Sequence, residues 1–145
     1  EVLTDLAPLA ENKGIALNCA GDALVIGSDT LLYRLVFNLV ENAIRYSRPG
    51  STVNVSICDN NSRVFLRVED QGPGIPKQYR ESIFQPFFRL DKSRSRAYGG
   101  AGLGLALVWE IAALHGGAVE VEASSENGTT MLASLPKRSA ALTEQ

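Results

Sequence analysis

Two asparagines lie four residues apart in the segment NLVENAIRYS, residues 38–47. The surrounding run has the apolar spacing of an amphipathic helix, on which Asn38, Asn42 and Arg45 share one polar stripe with Glu41 beside it. Asparagine is a mediocre helix former, so this stripe requires either solvent or a polar ligand. An amide oxygen is a competent ligand for Mg²⁺, which often binds few protein oxygens beside phosphates. Taken alone, the spacing favours a solvated helix edge.

Two glycine-rich segments offer further binding groups. In DQGPGIP, Asp70 ends a predicted strand and precedes Gly72 and Gly74, so its carboxylate would accept a hydrogen bond, for example from an exocyclic amine. An ordinary Gly-Pro turn explains this segment equally well. In YGGAGLGLAL, glycines precede a predicted helix, where bare N–H groups can approach phosphate. This segment lacks GxxxxGK[ST], and Leu105 breaks GxGxxG, so a flexible hinge is equally plausible when it is taken alone.

The elements that would position these residues follow from periodicity and turn residues. They are a helix from residue 2 to near Gly14, short strands over 15–20 and 23–28, a helix from Ser28 or Asp29 to Tyr46, a hairpin over 52–59 and 62–70, a helix over 103–114, and a hairpin over 118–124 and 129–136. This order predicts an α+β fold with helices on one face of a largely antiparallel sheet.

Length and composition limit the class of protein. The 145 residues suit a single domain over 1–145, with a frayed tail over 137–145. A net charge of -2 argues against a nucleic-acid partner, and no stretch approaches the ~20 apolar residues of a membrane span, so we expect no direct membrane contact. Cys19 and Cys58 have no CxxC spacing, which favours buried, reduced thiols over a metal site.

Five segments carry a resemblance to a known family. In order, NLVENAIRYS, DQGPGIP, IFQPFFRLDKS, GGAGLGLAL and NGTTM are similar to the N, G1, F, G2 and G3 boxes of the ATP-binding catalytic domain of bacterial sensor histidine kinases, across residues 38–131. The resemblance implies the Bergerat ATP-binding fold, a two-layer α/β sandwich shared with gyrase, heat-shock protein 90 and mismatch-repair ATPases. It also implies ATP and Mg²⁺ as cofactors.

The resemblance assigns a role to individual residues. Asn42 would be the principal Mg²⁺ ligand, assisted by Asn38, and Asp70 would accept from the adenine amine. Arg89 would point at the γ-phosphate. The other implied nucleotide contacts are Arg45, Tyr46, Gly72, Gly74, Ile75, Phe87, Gly100, Gly102, Leu103, Gly104, Leu105 and Thr130.

The same resemblance implies transfer to a protein rather than to water. Hydrolases of the family carry a glutamate one helical turn before the magnesium-binding asparagine, where this chain has Asn38. A neutral amide cannot act as general base, so we expect ATP to be bound but poorly hydrolysed. Glu41 either poises the acceptor or is a plain surface glutamate. His115, the only histidine, is interpreted as a partner of a helix C-terminal dipole.

The implied partners lie on other domains. The family phosphorylates a histidine on a separate dimerisation domain and passes the phosphoryl group to an aspartate of a response-regulator receiver domain. The resemblance places the domain in the cytoplasm and its parent in the bacterial inner membrane. Three alternatives stay open: a serine-phosphorylating anti-sigma factor, a nucleotide-sensing interaction module without catalysis, and a gyrase-type ATP hydrolase.

Overall fold

The computed structural model describes residues 1–88 and 104–138. The helices are α1 (Val2–Lys13), α2 (Asp29–Tyr46) and α3 (Gly104–Leu114), and the strands are β1 (Ala16–Ala20), β2 (Thr52–Asp59), β3 (Arg63–Glu69), β4 (Ala118–Ser125) and β5 (Gly128–Pro136). Two short 3₁₀ turns, Lys77–Tyr79 and Ser82–Phe84, follow β3.

The strands form one mixed sheet in the order β1-β2-β3-β5-β4. Strands β1 and β2 are parallel, whereas the other neighbouring pairs are antiparallel. The predicted α+β architecture is therefore confirmed. The strand predicted over 23–28 is wrong, because within residues 1–88 and 104–138 that segment makes only an isolated bridge between Ile26 and Arg138.

Local capping signals set the ends of the first two helices. Gly14 ends α1 with φ 73°, a left-handed conformation that glycine adopts without strain. Ser28 caps α2, since its hydroxyl oxygen accepts from the Leu31 N–H at 3.2 Å. Helix α2 stops where Ser47 turns to extended backbone.

The core lies between the helices and one face of the sheet. Helix α2 supplies the centre of this core, and residues of β2, β3 and β5 on the helix-covered face of the sheet complete it. The fully buried side chains include Leu35, Leu39, Val40, Ile44, Val53, Val68 and Val108. The opposite sheet face is open and carries polar pairs such as Arg67 with Glu122, 2.8 Å apart. Functional side chains on the sheet are therefore divided between a helix-covered face and an open face.

A β-bulge in β4 changes which of its residues face the helices. Val121 lies opposite Met131 and Ala123 lies opposite Thr130, so Glu122 is the extra residue. Before the bulge, odd-numbered residues of β4 point inward. After the bulge the parity reverses, and Ser124 lies opposite the buried Thr129.

His115 is fully buried at the end of α3. Its Nε2 accepts from the Ser28 N–H at 3.2 Å, and its Nδ1 lies 2.8 Å from the Ile111 carbonyl oxygen, to which it donates. This pattern requires a neutral ring. His115 thus donates to a carbonyl oxygen in the last turn of α3, as a partner of the helix C-terminus would, and it also joins the end of α3 to the start of α2.

The two cysteines differ from expectation. Cys19 and Cys58 are both free and exposed, so the predicted burial is wrong. Cys58 lies on the open face of the sheet, with its Sγ 3.8 Å from an Arg67 nitrogen. Among the described residues, no helix combines the length and apolar character needed to cross a membrane.

Candidate functional site

Asp70 is a buried carboxylate directly after β3, with 6% of its surface exposed. Its Oδ1 accepts from the Gly72 N–H at 2.9 Å and from the Thr129 N–H at 3.0 Å. Its Oδ2 has no hydrogen-bond partner within residues 1–88 and 104–138. Burial raises the pKa of Asp70, and the two N–H donors oppose that rise. The fold therefore uses one carboxylate oxygen and leaves the other to accept from a ligand.

At two positions, the loop after Asp70 approaches neighbouring backbone too closely for a side chain. A Cβ on Gly72 would lie 2.4 Å from the Tyr46 carbonyl oxygen. Gly74 has φ 85°, and a Cβ there would lie 2.1 Å from the Ser125 carbonyl oxygen. The two predicted glycines are thus required by contact with the end of α2 and with β4.

Hydrogen bonds hold this loop on both sides. The Gln71 N–H donates to Ser47 Oγ at 3.1 Å, and Arg48 donates to the carbonyl oxygens of Gln71 and Glu126 at 3.3 and 2.8 Å. On the β4 side, the Ile75 N–H donates to Ser124 Oγ at 2.8 Å. These bonds position the Asp70 carboxylate before any ligand arrives.

The polar stripe predicted on α2 forms as expected, with a different environment at each turn. Asn38 is only 8% exposed, and its amide nitrogen donates to the carbonyl oxygen of Gly104 at 3.3 Å. Within the described segments its amide oxygen has no partner, so this oxygen can accept from or bind a ligand. Asn42 is half-buried, and its side chain makes no hydrogen bond within the described part of the chain. Both amide oxygens are therefore candidate ligands.

Glu41 and Arg45 form an ion pair of 3.5 Å one turn apart on α2. Both side chains are about one-third exposed, so the pair adds little stability. It does place the Arg45 guanidinium along the same stripe as Asn42. Glu41 is engaged by this cation instead of standing alone beside Asn42.

Thr130 lies close to Asp70 along the sheet, but its side chain is on the face opposite to the one on which Asp70 is buried. Side chains alternate along a strand, and Thr130 lies opposite Glu69 on the open face. Thr129 is buried on the helix-covered face, and its backbone bonds to Asp70. Thr129 is thus the functional candidate that sequence reasoning missed, although its alternation with the buried Met131 could have revealed it.

The three phenylalanines after the 3₁₀ turns have separate environments. Phe84 is buried, and its ring centroid lies 5.3 Å from that of Trp109. Phe88 packs beside Tyr79 at 5.7 Å. Phe87 has φ 66° and is 69% exposed, so it is presented outward from a strained backbone. Phe84 and Phe88 anchor this segment, and Phe87 is available for contact.

The glycine-rich helix start is only partly described. Gly104 begins α3 and contacts Asn38, and Leu105 packs against the core. Four predicted site residues, Arg89, Gly100, Gly102 and Leu103, lie outside the described residues.

Helix α2 places the candidate site residues one after another along its axis. Asn38 contacts the start of α3, Asn42 follows one turn later, and Tyr46 ends the helix with its carbonyl against Gly72. From Asn38 to Tyr46 the helix rises about 12 Å. Among the described residues, no group of three or more His, Cys, Asp or Glu side chains could hold a metal. A cation here would depend on the asparagine amide oxygens and on oxygens of the ligand.

Comparison with known proteins identifies the family. Residues 27–139 match the histidine kinase-, DNA gyrase B- and HSP90-like ATPases. The sensor-like histidine kinase SenX3 of Mycolicibacterium smegmatis is 42% identical over 113 residues, covering 78% of this chain and 29% of that protein. This chain therefore spans less than a third of that relative.

Solved structures agree. The mycobacterial sensor histidine kinase MprB superposes with a TM-score of 0.79 at 33% identity, covering 95% of this chain and 93% of that one. Full-length ShkA in complex with AMPPNP superposes with a TM-score of 0.81 at 29% identity, covering 93% of this chain and 28% of that one. These matches confirm the resemblance drawn from the sequence motifs. The chain belongs to the ATP-binding family of histidine kinase-, DNA gyrase B- and HSP90-like ATPases.

Proposed function

We propose that this chain is the catalytic domain of a two-component sensor histidine kinase that binds Mg²⁺-ATP and donates the γ-phosphoryl group to a protein histidine. The relatives are named sensor histidine kinases, and the chain matches their ATP-binding part. The histidine belongs to a separate dimerisation domain of the parent, and a response-regulator receiver domain is the final acceptor. The domain works in the cytoplasm, and its parent resides in the bacterial inner membrane.

The observation that carries the proposal is that only one of the two Asp70 carboxylate oxygens accepts hydrogen bonds from the described residues. An ionised carboxylate only accepts hydrogen bonds, so the free Oδ2 selects a ligand with a donor, such as the exocyclic amine of adenine. Gly72 and Gly74 let the loop beside it pack against the carbonyl oxygens of Tyr46 and Ser125, so Tyr46 borders the same loop. Ile75 packs against the core at the far end of this loop.

The α2 stripe supports binding of the triphosphate. Asn42, with Asn38 one turn before it, presents amide oxygens to Mg²⁺, while Arg45 contributes positive charge to the phosphates. When bound, Mg²⁺ neutralises charge that develops on the transferred phosphoryl group. Phe87, Gly100, Gly102, Leu103, Gly104 and Leu105 complete the nucleotide contacts, and Arg89 supplies charge at the γ-phosphate.

The side chains near the phosphates favour transfer over hydrolysis. Asn38 is neutral, and its amide nitrogen is already bonded to Gly104, so it cannot take a proton from water. Glu41 is the nearest carboxylate on α2, but it is paired with Arg45. Its role in poising an acceptor histidine therefore requires that this ion pair open.

The fate of the γ-phosphate tests the proposal. The 145-residue chain is incubated with γ-labelled ATP and Mg²⁺, and bound nucleotide, protein-bound label and released phosphate are measured. We expect ATP binding, no label retained on the protein and little release of phosphate. Brisk turnover by the chain alone would contradict the kinase assignment and favour a hydrolase.

A further inference from the structure

The β4 bulge has a consequence for the base side of the site. If Glu122 paired regularly with Thr130 instead of being the extra residue of the bulge, Ala123 would lie opposite Thr129, and a methyl group would face it. With the bulge, Ser124 lies opposite Thr129, and the two hydroxyl oxygens are 2.8 Å apart. Bulges often redirect one side chain in this way beside functional sites.

Ser124 contacts both sides of the base-binding loop. Its Oγ accepts from the Ile75 N–H at 2.8 Å, which fixes the end of the loop that starts at Asp70. Thr129, its hydroxyl partner, donates its backbone N–H to Asp70 Oδ1. Ser124 is therefore connected to the Asp70 carboxylate through Thr129, and does not contact it directly.

Arg80 also connects the base-binding loop to β4. Its guanidinium donates to the carbonyl oxygens of Ile75 and Ser124, at 3.4 and 3.1 Å. The loop and the β4 strand are thus joined twice, once by the serine hydroxyl and once by the arginine. Arg80 holds the backbone of Ser124, while the Ile75 N–H holds its hydroxyl group.

We infer that Ser124 is a positioning residue that orients the Thr129 hydroxyl for recognition of a purine base, an inference that rests on the proposed ATP binding. A serine hydroxyl has one proton to donate, and the Ile75 N–H already occupies an acceptor site of Ser124. The hydroxyl oxygens of Ser124 and Thr129 lie at hydrogen-bond distance, and either hydroxyl can be the donor of that bond. In the inferred arrangement Ser124 donates to Thr129 Oγ1, and the proton of Thr129 points toward the base beside Asp70.

This direction of donation distinguishes the two common purine nucleotides. Adenine presents an exocyclic amine donor next to a ring nitrogen that accepts, which matches Asp70 Oδ2 and the Thr129 O–H. Guanine presents a carbonyl acceptor next to a ring N–H donor, which opposes both groups. Ser124 therefore supports selection of ATP over GTP without contacting either nucleotide.

The test compares ATP and GTP affinities of the 145-residue chain by calorimetry in Mg²⁺. Removing one neutral hydrogen bond from such a network costs about fivefold to tenfold in affinity. We expect Ser124→Ala to lower ATP affinity by about that factor while GTP affinity changes little, so the ATP-to-GTP ratio falls. Ser124→Thr keeps the hydroxyl and should restore the ratio.

Ser125→Ala is the matched control, because Ser125 is the next residue and its hydroxyl bonds only to the Asn127 N–H among the described residues. It should leave the ratio unchanged. An unchanged ratio in Ser124→Ala, or an equal loss for both nucleotides, would overturn the inference and leave Ser124 a structural residue. A wild-type chain that binds neither nucleotide would instead overturn the proposed function. Thermal melts of each variant confirm that it is folded.

Discussion

The base side and the metal side of the candidate site are built differently. On the base side, Asp70 and the loop to Ile75 are fixed by hydrogen bonds to Ser47, Thr129 and Ser124. On the metal side, the Asn42 amide has no partner among the described residues, and its geometry depends on α2 alone. The fold thus completes the first half, whereas a ligand completes the second.

This difference predicts how changes in each half will behave. Side chains on the base side serve both the fold and the ligand, so altering their loop costs stability as well as affinity. A preorganised group loses little freedom when the ligand binds. The Asn42 side chain on the metal side makes no hydrogen bond among the described residues, so altering it should lower affinity and leave the free energy of unfolding nearly unchanged.

The largest effect should come from Gly74→Ala on the base side. The new Cβ meets the Ser125 carbonyl oxygen at 2.1 Å on a backbone with φ 85°. We expect the free energy of unfolding to fall by about 3 kcal/mol or more, measured by urea denaturation. Gly50→Ala is the control, because Gly50 has φ 84° with open space around it. It should cost only about 1–2 kcal/mol, and equal losses would show that the close contact is unimportant.

The second effect is a loss of ATP binding in Asp70→Asn. The asparagine oxygen can still accept from Gly72 and Thr129, so the fold should persist. An NH₂ group then replaces Oδ2 and faces the adenine amine. The charge-assisted hydrogen bond is lost, and two hydrogen-bond donors face each other. We expect ATP affinity to fall by about 100-fold, measured by calorimetry. Retained affinity would show that the base does not bind at Asp70.

A smaller effect should follow Asn42→Ala on the metal side. Loss of a ligand to Mg²⁺ should reduce ATP affinity by about tenfold to 100-fold in Mg²⁺ and by little in EDTA, with an unchanged melting temperature. Asn54→Ala, on the open sheet face, is the control and should bind ATP like the wild type. A large loss of stability in Asn42→Ala would erase the contrast between the two halves.

The smallest effect concerns pH. Burial raises the pKa of Asp70 above that of the unfolded chain, so the native state binds this proton more readily. Below the pKa of the unfolded chain, about 3.9, Asp70 is protonated in both states and does not lower the free energy of unfolding. That free energy falls as the pH rises through the pKa of Asp70 in the folded chain. Asp70→Asn should gain stability relative to wild type over that rise, measured by denaturation across pH. A difference between the two proteins that does not vary with pH would contradict the burial argument.

Local signals in the sequence predicted much of the fold. Gly14 and Ser28 fix helix ends through their own chemistry, and the alternation over 52–59 and 62–70 correctly predicted a hairpin. The segment over 23–28 has the same apolar character, but in the described part of the chain it pairs only through the bridge of Ile26 to Arg138. Strand propensity without a partner does not make a strand.

The candidate site could be predicted only where one segment determines it. The α2 stripe and the paired glycines lie within single motifs, so spacing was sufficient. The burial of Thr129 rather than Thr130 was not predictable from one segment, because it depends on which face of β5 is covered. The role of Ser124 depends on the register of β4 against β5, which a bulge shifts by one residue. Such pairings are properties of the assembled sheet and leave no local signature.

The most direct test of the site is a titration of the isotopically labelled chain with Mg²⁺-ATP, followed by amide chemical shifts. We expect the amides of Gly72 and Thr129 and the side-chain amide of Asn42 to shift together and saturably, while Phe65 and Leu132 on the open face stay unchanged. Shifts confined to the open face, or none at the loop after Asp70, would contradict nucleotide binding at this site.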